Sequence, residues 1–201
     1  MTDFAESKPD FKPRDRSILQ HVIDESDKID RDHPGIATSC KTIMEKAPDG
    51  FFLAIGVGQN NEAWSKKGWQ TLDIDNTTGA KYVLDANKMT DKFKPETLDA
   101  LLVERITINP FGGPILNSNN NEPTLSYDKL LSQAHTLLKK GGKLIFIGAD
   151  QGKYDLKYHF HSADFQKLFK SHGFSAVLEL EDKDGFLADD MTATTWYAQK
   201  D

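Results

Sequence analysis

The sequence predicts an α/β fold: a three-layer sandwich whose mostly parallel, seven-stranded sheet ends in an antiparallel C-terminal hairpin. Three observations carry this. Five short apolar runs, FFLAIG (51–56), WQTLDI (69–74), AKYVLD (80–85), LDALLVERITI (98–108) and GKLIFIG (142–148), alternate with helical or looped connections. Several are near-continuous in apolar residues, the pattern of strands buried on both faces. Finally, FSAVLELED and TATTWYAQK are separated only by the polar KDGFLADDM. That link is too short for a helical crossover, so the last two strands are expected to be antiparallel neighbours.

Taken in order, residues 1 to about 16 are polar and carry Pro9 and Pro13, which reads as a loose arm. From Ser17, the spacing of Ile18, Leu19, Val22, Ile23 and Ile29 predicts a helix that ends at His33-Pro34-Gly35. A second helix covers ATSCKTIMEKA, and Pro48-Asp49-Gly50 turns the chain into the first strand. These two helices either close over a ligand as a lid or pack on the sheet, and packing is the simpler expectation. Within TLSYDKLLSQAHTLLKK (124–140), Tyr127, Leu130, Leu131, Ala134, Leu137 and Leu138 share one helical face. Thr124 is the expected N-cap and Gly141-Gly142 the expected stop. Ser162 caps a helix bearing Phe165, Leu168 and Phe169, which Gly173 ends. The organisation is therefore an arm and helices over residues 1–49, then one α/β domain over 50–201.

A chain of 201 residues holds one domain with a substantial core. Cys40 is the single cysteine, which leaves no disulfide framework and no cysteine-based metal site. No apolar run approaches membrane-spanning length and the opening MTDFAESKPDFKPRDR lacks a signal-like apolar stretch. A cytoplasmic setting and no membrane partner are the expectation. The net charge of −6 argues against a large nucleic-acid footprint and leaves a local basic patch open.

The chemistry concentrates at the strand ends. Gly56 and Gly58 let the chain turn sharply after the first strand and approach a ligand closely. The helix expected from about Asn60 would point its free N–H groups at that ligand. Asp73 and Asp75 fall at the end of the second strand, about 17 residues downstream, where a carboxylate can accept from both hydroxyls of a ribose. Asp73 is the first choice because it closes the apolar run, and a turn-starting role is expected for one of the two. Asp85-Ala86 closes the third run; Asp85 either accepts from an exocyclic adenine amine, with Ala86 leaving room for the ring, or caps the next turn. Glycine turn, acid and acid thus lie along one rim, where open α/β sheets bind ligands.

From about residue 50 to 200 the chain resembles a class I S-adenosylmethionine-dependent methyltransferase, with a Rossmann-like sheet. LAIGVGQN resembles the glycine motif, WQTLDID the ribose acid, and KYVLDANK the adenine-side acid. LDALLVERI resembles the fourth strand, LLKKGGKLIFIG the helix-Gly-Gly-strand step, and TTWYAQK the last strand. The resemblance implies S-adenosyl-L-methionine as cofactor, bound by Gly56, Gly58, Asp73, Asp75, Asp85 and Ala86, and methyl transfer to an unidentified acceptor. Two departures stand out. G-V-G-Q-N lacks a third glycine, which places Gln59 and Asn60 beside the cofactor, and only about six residues join the second and third strands, which implies a deleted crossover helix.

The loop ERITINPFGGPILN is the natural acceptor wall. Asn109-Pro110-Phe111 resembles the Asn-Pro-Pro-aromatic motif of methyltransferases acting on planar amino groups, although a Pro-Gly loop with one buried Phe is the simpler reading. Glu104 and Arg105 read as a rim ion pair ahead of a substrate contact. Beyond the fifth strand, Tyr154, Tyr158, His159 and His161 gather near the same rim, where a phenol or imidazole can act as base or orienter. Asn109, Tyr154 and His159 are the catalytic candidates. His159 and His161 alone, without a third ligand, make no metal site, and none is expected. Two other classes stay open. A nicotinamide oxidoreductase requires G-x-G-x-x-G, whereas position 61 is Asn. A methyltransferase-like binding module without transfer is the other.

Overall fold

The computed structural model describes residues 13–104, 126–147, 165–181 and 193–201. Its seven strands are β1 (Phe52–Ile55), β2 (Gln70–Asp73), β3 (Tyr82–Val83), β4 (Leu98–Glu104), β5 (Leu138–Ile147), β6 (Phe174–Glu181) and β7 (Ala193–Lys200). They form one sheet in the order β3-β2-β1-β4-β5-β7-β6. Strands β1 to β5 pair in parallel, and β7 runs antiparallel between β5 and β6. The expected mostly parallel sheet with a terminal antiparallel pair is what forms.

Two cores lie on the two faces, which is why the central strands read as unbroken apolar runs. Leu101 and Val103 of β4 belong to one core with Leu53, Ile55 and Leu72; Ala100 and Leu102, alternating with them, belong to the other with Phe52 and Ala54. All four β4 side chains are fully buried. The first face is covered by α4 (Met89–Lys92), α5 (Tyr127–Leu137) and α6 (Phe165–Ser171), and Phe169 of α6 stacks on Trp196 with ring centroids 5.4 Å apart. On the second lie α2 (Ile36–Glu45), through Ile36 and Cys40, and α3 (Asn61–Lys66), through Trp64. Burial pushes the Cys40 thiol up to about 12, against the opposing pull of Lys143, so it stays a protonated core side chain. Helix α1 (Pro13–Asp32) lies against the edge strand β6, and its Ser26 accepts from Gln166 of α6. The described helix already includes residues 13–16, ahead of the start at Ser17 that the spacing suggested.

Two local expectations are corrected. The N-cap of α5 is Ser126, extended at φ −92° and ψ 156°, whose hydroxyl accepts from Lys129 N at 3.2 Å; Thr124 lies outside the described residues. Nor does Gly141-Gly142 end that helix. Leu138 is already extended and pairs with Leu98, so tertiary pairing draws the predicted last helical turn into β5. Gly141, at φ 74°, lies in the bulged segment where the β4–β5 register slips between Leu98 and Ala100. The crossover helix that the short join implied to be deleted is absent: β2 and β3 are parallel neighbours joined only by residues 74–81. The return path is short because the ladder has two rungs, Leu72 with Tyr82 and Asp73 with Val83. A turn of 3-10 helix at Asn76–Thr78 and Gly79 at φ 71° suffice for it, and no helix is needed.

At the opposite rim, Asp99 accepts from Phe51 N at 2.8 Å and from Lys139 Nζ at 2.7 Å, joining β1, β4 and β5. Burial raises the Asp99 carboxyl, but these hydrogen bonds and the Lys139 charge outweigh it and hold the group below its ordinary value. Stability from a depressed carboxyl is present above the unfolded pKa and lost as pH falls through the folded one. Asp99→Asn is therefore expected to be less stable than the wild type at pH 7. The gap should close below the ordinary value of 3.8, as read by urea denaturation across pH.

Candidate functional site

Gly56 and Gly58 leave β1 at φ 70° and 48°, in the left-handed region that favours glycine. A Cβ at Gly58 would meet nothing within 4 Å, so conformation rather than crowding selects glycine there and open space lies beside the turn. Gly56 N donates to Leu72 O at 3.0 Å. The chain then passes through a 3-10 turn, Gly58–Asn60, into α3. Asn60 stands where a third glycine was absent, at φ −83°, a value that needs no glycine.

The acid at the end of β2 closes on this turn. Asp73 is 8% exposed; its Oδ2 accepts from Gly58 N at 2.8 Å and its Oδ1 from Asp75 N at 3.0 Å. Each oxygen keeps acceptor capacity beyond these bonds. The other two acids serve turns. Asp75 accepts from Thr77 N and Thr77 Oγ1, both at 2.8 Å, and those bonds hold its exposed carboxyl below the ordinary value. Asp85 accepts from Asn87 N at 2.8 Å and caps the 3-10 turn Ala86–Lys88, the turn-capping alternative. Gly56, Gly58, Asp73 and Asp75 are thus brought together, and Asp85-Ala86 follows at the adjacent strand end, where Leu84 N donates to Asp73 O at 3.0 Å.

Two buried polar side chains support this rim: Gln133, which was not assigned to it from sequence, and Glu104, which was read there as half of an ion pair. Gln133 of α5, 5% exposed, donates from Nε2 to Ala86 O at 3.0 Å and accepts from Thr90 N at 3.4 Å. It pins the segment after β3 from a helix 47 positions away. Gln133→Leu keeps the bulk and removes both bonds, and is expected to cost about 1–3 kcal/mol, measured by urea denaturation.

The second is Glu104 at the end of β4, 7% exposed. Its Oε1 accepts from Asn60 Nδ2 at 2.7 Å and its Oε2 from Trp64 Nε1 at 2.5 Å. Among the described residues Glu104 is thus held by two neutral donors and not by an ion pair; Arg105 lies outside them. The sequence signal for it is the same one that marked Asp73, an acid closing a buried apolar run. Asn61 is also occupied, accepting from Thr71 Oγ1 and donating to Gly79 O. Asn60 and Asn61 of the G-V-G-Q-N-N stretch are therefore fastened to neighbouring strand ends and loops, while Gln59 is exposed. Asn109, Tyr154, Tyr158, His159 and His161 lie outside the described residues.

In chemical terms, the rim offers a glycine turn with open space beside it, a buried acceptor carboxylate at the next strand end, and an apolar side chain, Ile74, 67% exposed between Asp73 and Asp75. That set of open turn, acceptor and apolar surface fits a nucleoside-bearing cofactor. No protein-family model and no curated protein matches the chain. Solved structures do. A methyltransferase from Archaeoglobus fulgidus, described as dependent on S-adenosylmethionine, aligns at a TM-score of 0.54 and 13% identity over 82% of this chain and 92% of its own. A Listeria monocytogenes protein described as an S-adenosylmethionine-dependent methyltransferase aligns at 0.52 and 11% identity, over 83% of this chain and 97% of its own. One from Thermotoga maritima, also described as dependent on that cofactor, aligns at 0.50 and 16%, over 92% and 99%. With this strand order, the antiparallel β7 between β5 and β6, and the glycine turn at the end of β1, the chain has the fold of the class I S-adenosylmethionine-dependent methyltransferases.

Proposed function

We propose that this protein binds S-adenosyl-L-methionine at the β1–β3 rim and transfers its methyl group to an acceptor. The observation that carries the reading is Asp73, a buried carboxylate fixed by Gly58 N and Asp75 N with acceptor capacity left over. In this reading Asp73 accepts from the ribose hydroxyls, and Asp85-Ala86 and Ile74 border the adenine. Gly56 and Gly58 let the backbone approach the amino-acid end. The bound cofactor supplies an activated methyl on a sulfonium. The chain's own work is to hold acceptor and methyl in line and to keep water out, so proximity supplies much of the rate. Asn109, Tyr154 and His159 remain the candidates for orienting the acceptor or taking its proton.

Calorimetric titration with S-adenosylmethionine and its demethylated product, S-adenosylhomocysteine, tests the cofactor. Binding of both, with a raised melting temperature, is expected; a flat titration with both overturns the assignment. A second reading is binding without transfer, favoured by the two-residue β3 and the missing β2–β3 helix, which leave Val83 55% exposed at the sheet edge. Incubating the protein with labelled cofactor and fractionated small molecules, peptides and RNA separates the two. Label transfer to any fraction supports the enzyme, and binding with no transfer to any of them supports the module. The fit of a cytoplasmic setting rests on composition; no described helix is long and apolar enough to cross a membrane.

A further inference from the structure

Glu104 is a buried carboxylate with two hydrogen-bond donors, both neutral. Burying a charge without a counter-charge is costly, and a protein that keeps one has usually found a use for it. Among the described residues no cation pairs with it; Lys67 Nζ lies 4.6 Å from the Trp64 ring centroid, a cation–π placement rather than an ion pair with Glu104. Its place in the sheet narrows the use. Strand order reverses between β1 and β4, so Glu104, ending β4, and Gly56, following β1, flank the switch point of the sheet. On the proposed reading, adenine lies at the β3 end and ribose at the β2 end. The next group along the same rim, at β1 and β4, is the sulfonium.

We infer that Glu104 is the counter-charge for a cationic centre bound at the β1–β4 switch point, and that it makes the site prefer the sulfonium cofactor to its neutral product. Asn60 and Trp64 hold the carboxylate beneath the glycine turn, so it acts through its field rather than by touching the ligand. The preference has a direction. In transfer, the acceptor's lone pair forms the new bond to the methyl carbon and the C–S bond breaks with its electrons returning to sulfur. A proton, where the acceptor carries one, leaves to solvent. Sulfur is then a neutral thioether, the attraction to Glu104 is gone, and the spent product is held less tightly than the fresh cofactor. Asn60, in place of a third glycine, is the residue that couples the carboxylate to the turn.

The inference rests on the proposed cofactor, and the test separates the two. Calorimetry on the full chain uses three ligands: S-adenosylmethionine, sinefungin (an ammonium replacing the sulfonium) and S-adenosylhomocysteine, which is neutral there. In the wild type the two cationic ligands are expected to bind about tenfold more tightly than the neutral one. Glu104→Gln removes the charge at nearly constant shape. It is expected to cost the cationic ligands about tenfold while the neutral one changes by less than about twofold. Trp64→Phe removes one donor and keeps the charge, so the cation preference should persist. An equal loss for all three ligands in Glu104→Gln makes the residue purely structural and overturns the inference. If that variant does not fold, the wild-type ranking decides, and equal affinity for cationic and neutral ligands overturns it. Failure of all three ligands to bind the wild type removes the cofactor reading itself, and this inference with it.

Discussion

Asp73→Ala is expected to abolish the rise in melting temperature that S-adenosylmethionine produces and to lower the melting temperature of the free protein as well. Both effects come from one carboxylate. Ligand binding at 100 times the dissociation constant stabilises by about 2.7 kcal/mol, and that gain requires the ribose acceptor. In the free protein, Gly58 N and Asp75 N lose their acceptor, at a cost of about 2–4 kcal/mol for the two bonds. For a chain of this size each kcal/mol moves the midpoint by roughly 2–4 °C. Differential scanning fluorimetry with and without ligand reads both. A variant that keeps the full ligand-induced shift would move the ribose contact elsewhere on the rim. Asp75→Ala is the comparison, because its carboxylate serves the Thr77 turn and stays exposed, so it should leave most of the shift in place.

The second large effect lies under the site. Leu101→Ala and Leu102→Ala replace neighbours on β4, both fully buried, one in each core. Each is expected to cost about 3 kcal/mol, from lost transfer energy and the cavity left behind. A strand with one wet face would give one large and one small value. Equal losses in urea denaturation are the signature of two-sided burial, and a near-neutral result at either position would contradict it.

Much of this architecture was legible in the chain. The apolar runs at β1, β4 and β5 announce strands covered on both faces, and KDGFLADDM is too short to be anything but the link of an antiparallel pair. The glycine turn and the order of acids along the rim were legible too. The end of α5 was not. Tyr127 to Leu138 keep helical spacing, yet Leu138 is extended because Leu98 lies beside it to pair with. The missing β2–β3 helix was legible from the short join; what was not is the two-rung ladder that removes the length a parallel connection ordinarily demands.

By itself, then, the sequence determined where the apolar cores of the strands lie, that Gly56 and Gly58 turn the chain, and which carboxylates stand at strand ends. Such features are encoded within a few neighbouring residues through periodicity and backbone preference. Tertiary structure alone decided what each carboxylate does. Asp75 and Asp85 satisfy backbone donors two residues away, so local geometry takes them. Asp73 reaches a donor 15 positions back and Glu104 one 44 positions back. A hydrogen bond forms with whatever lies within about 3 Å once the sheet is packed, and sequence spacing carries no record of that distance.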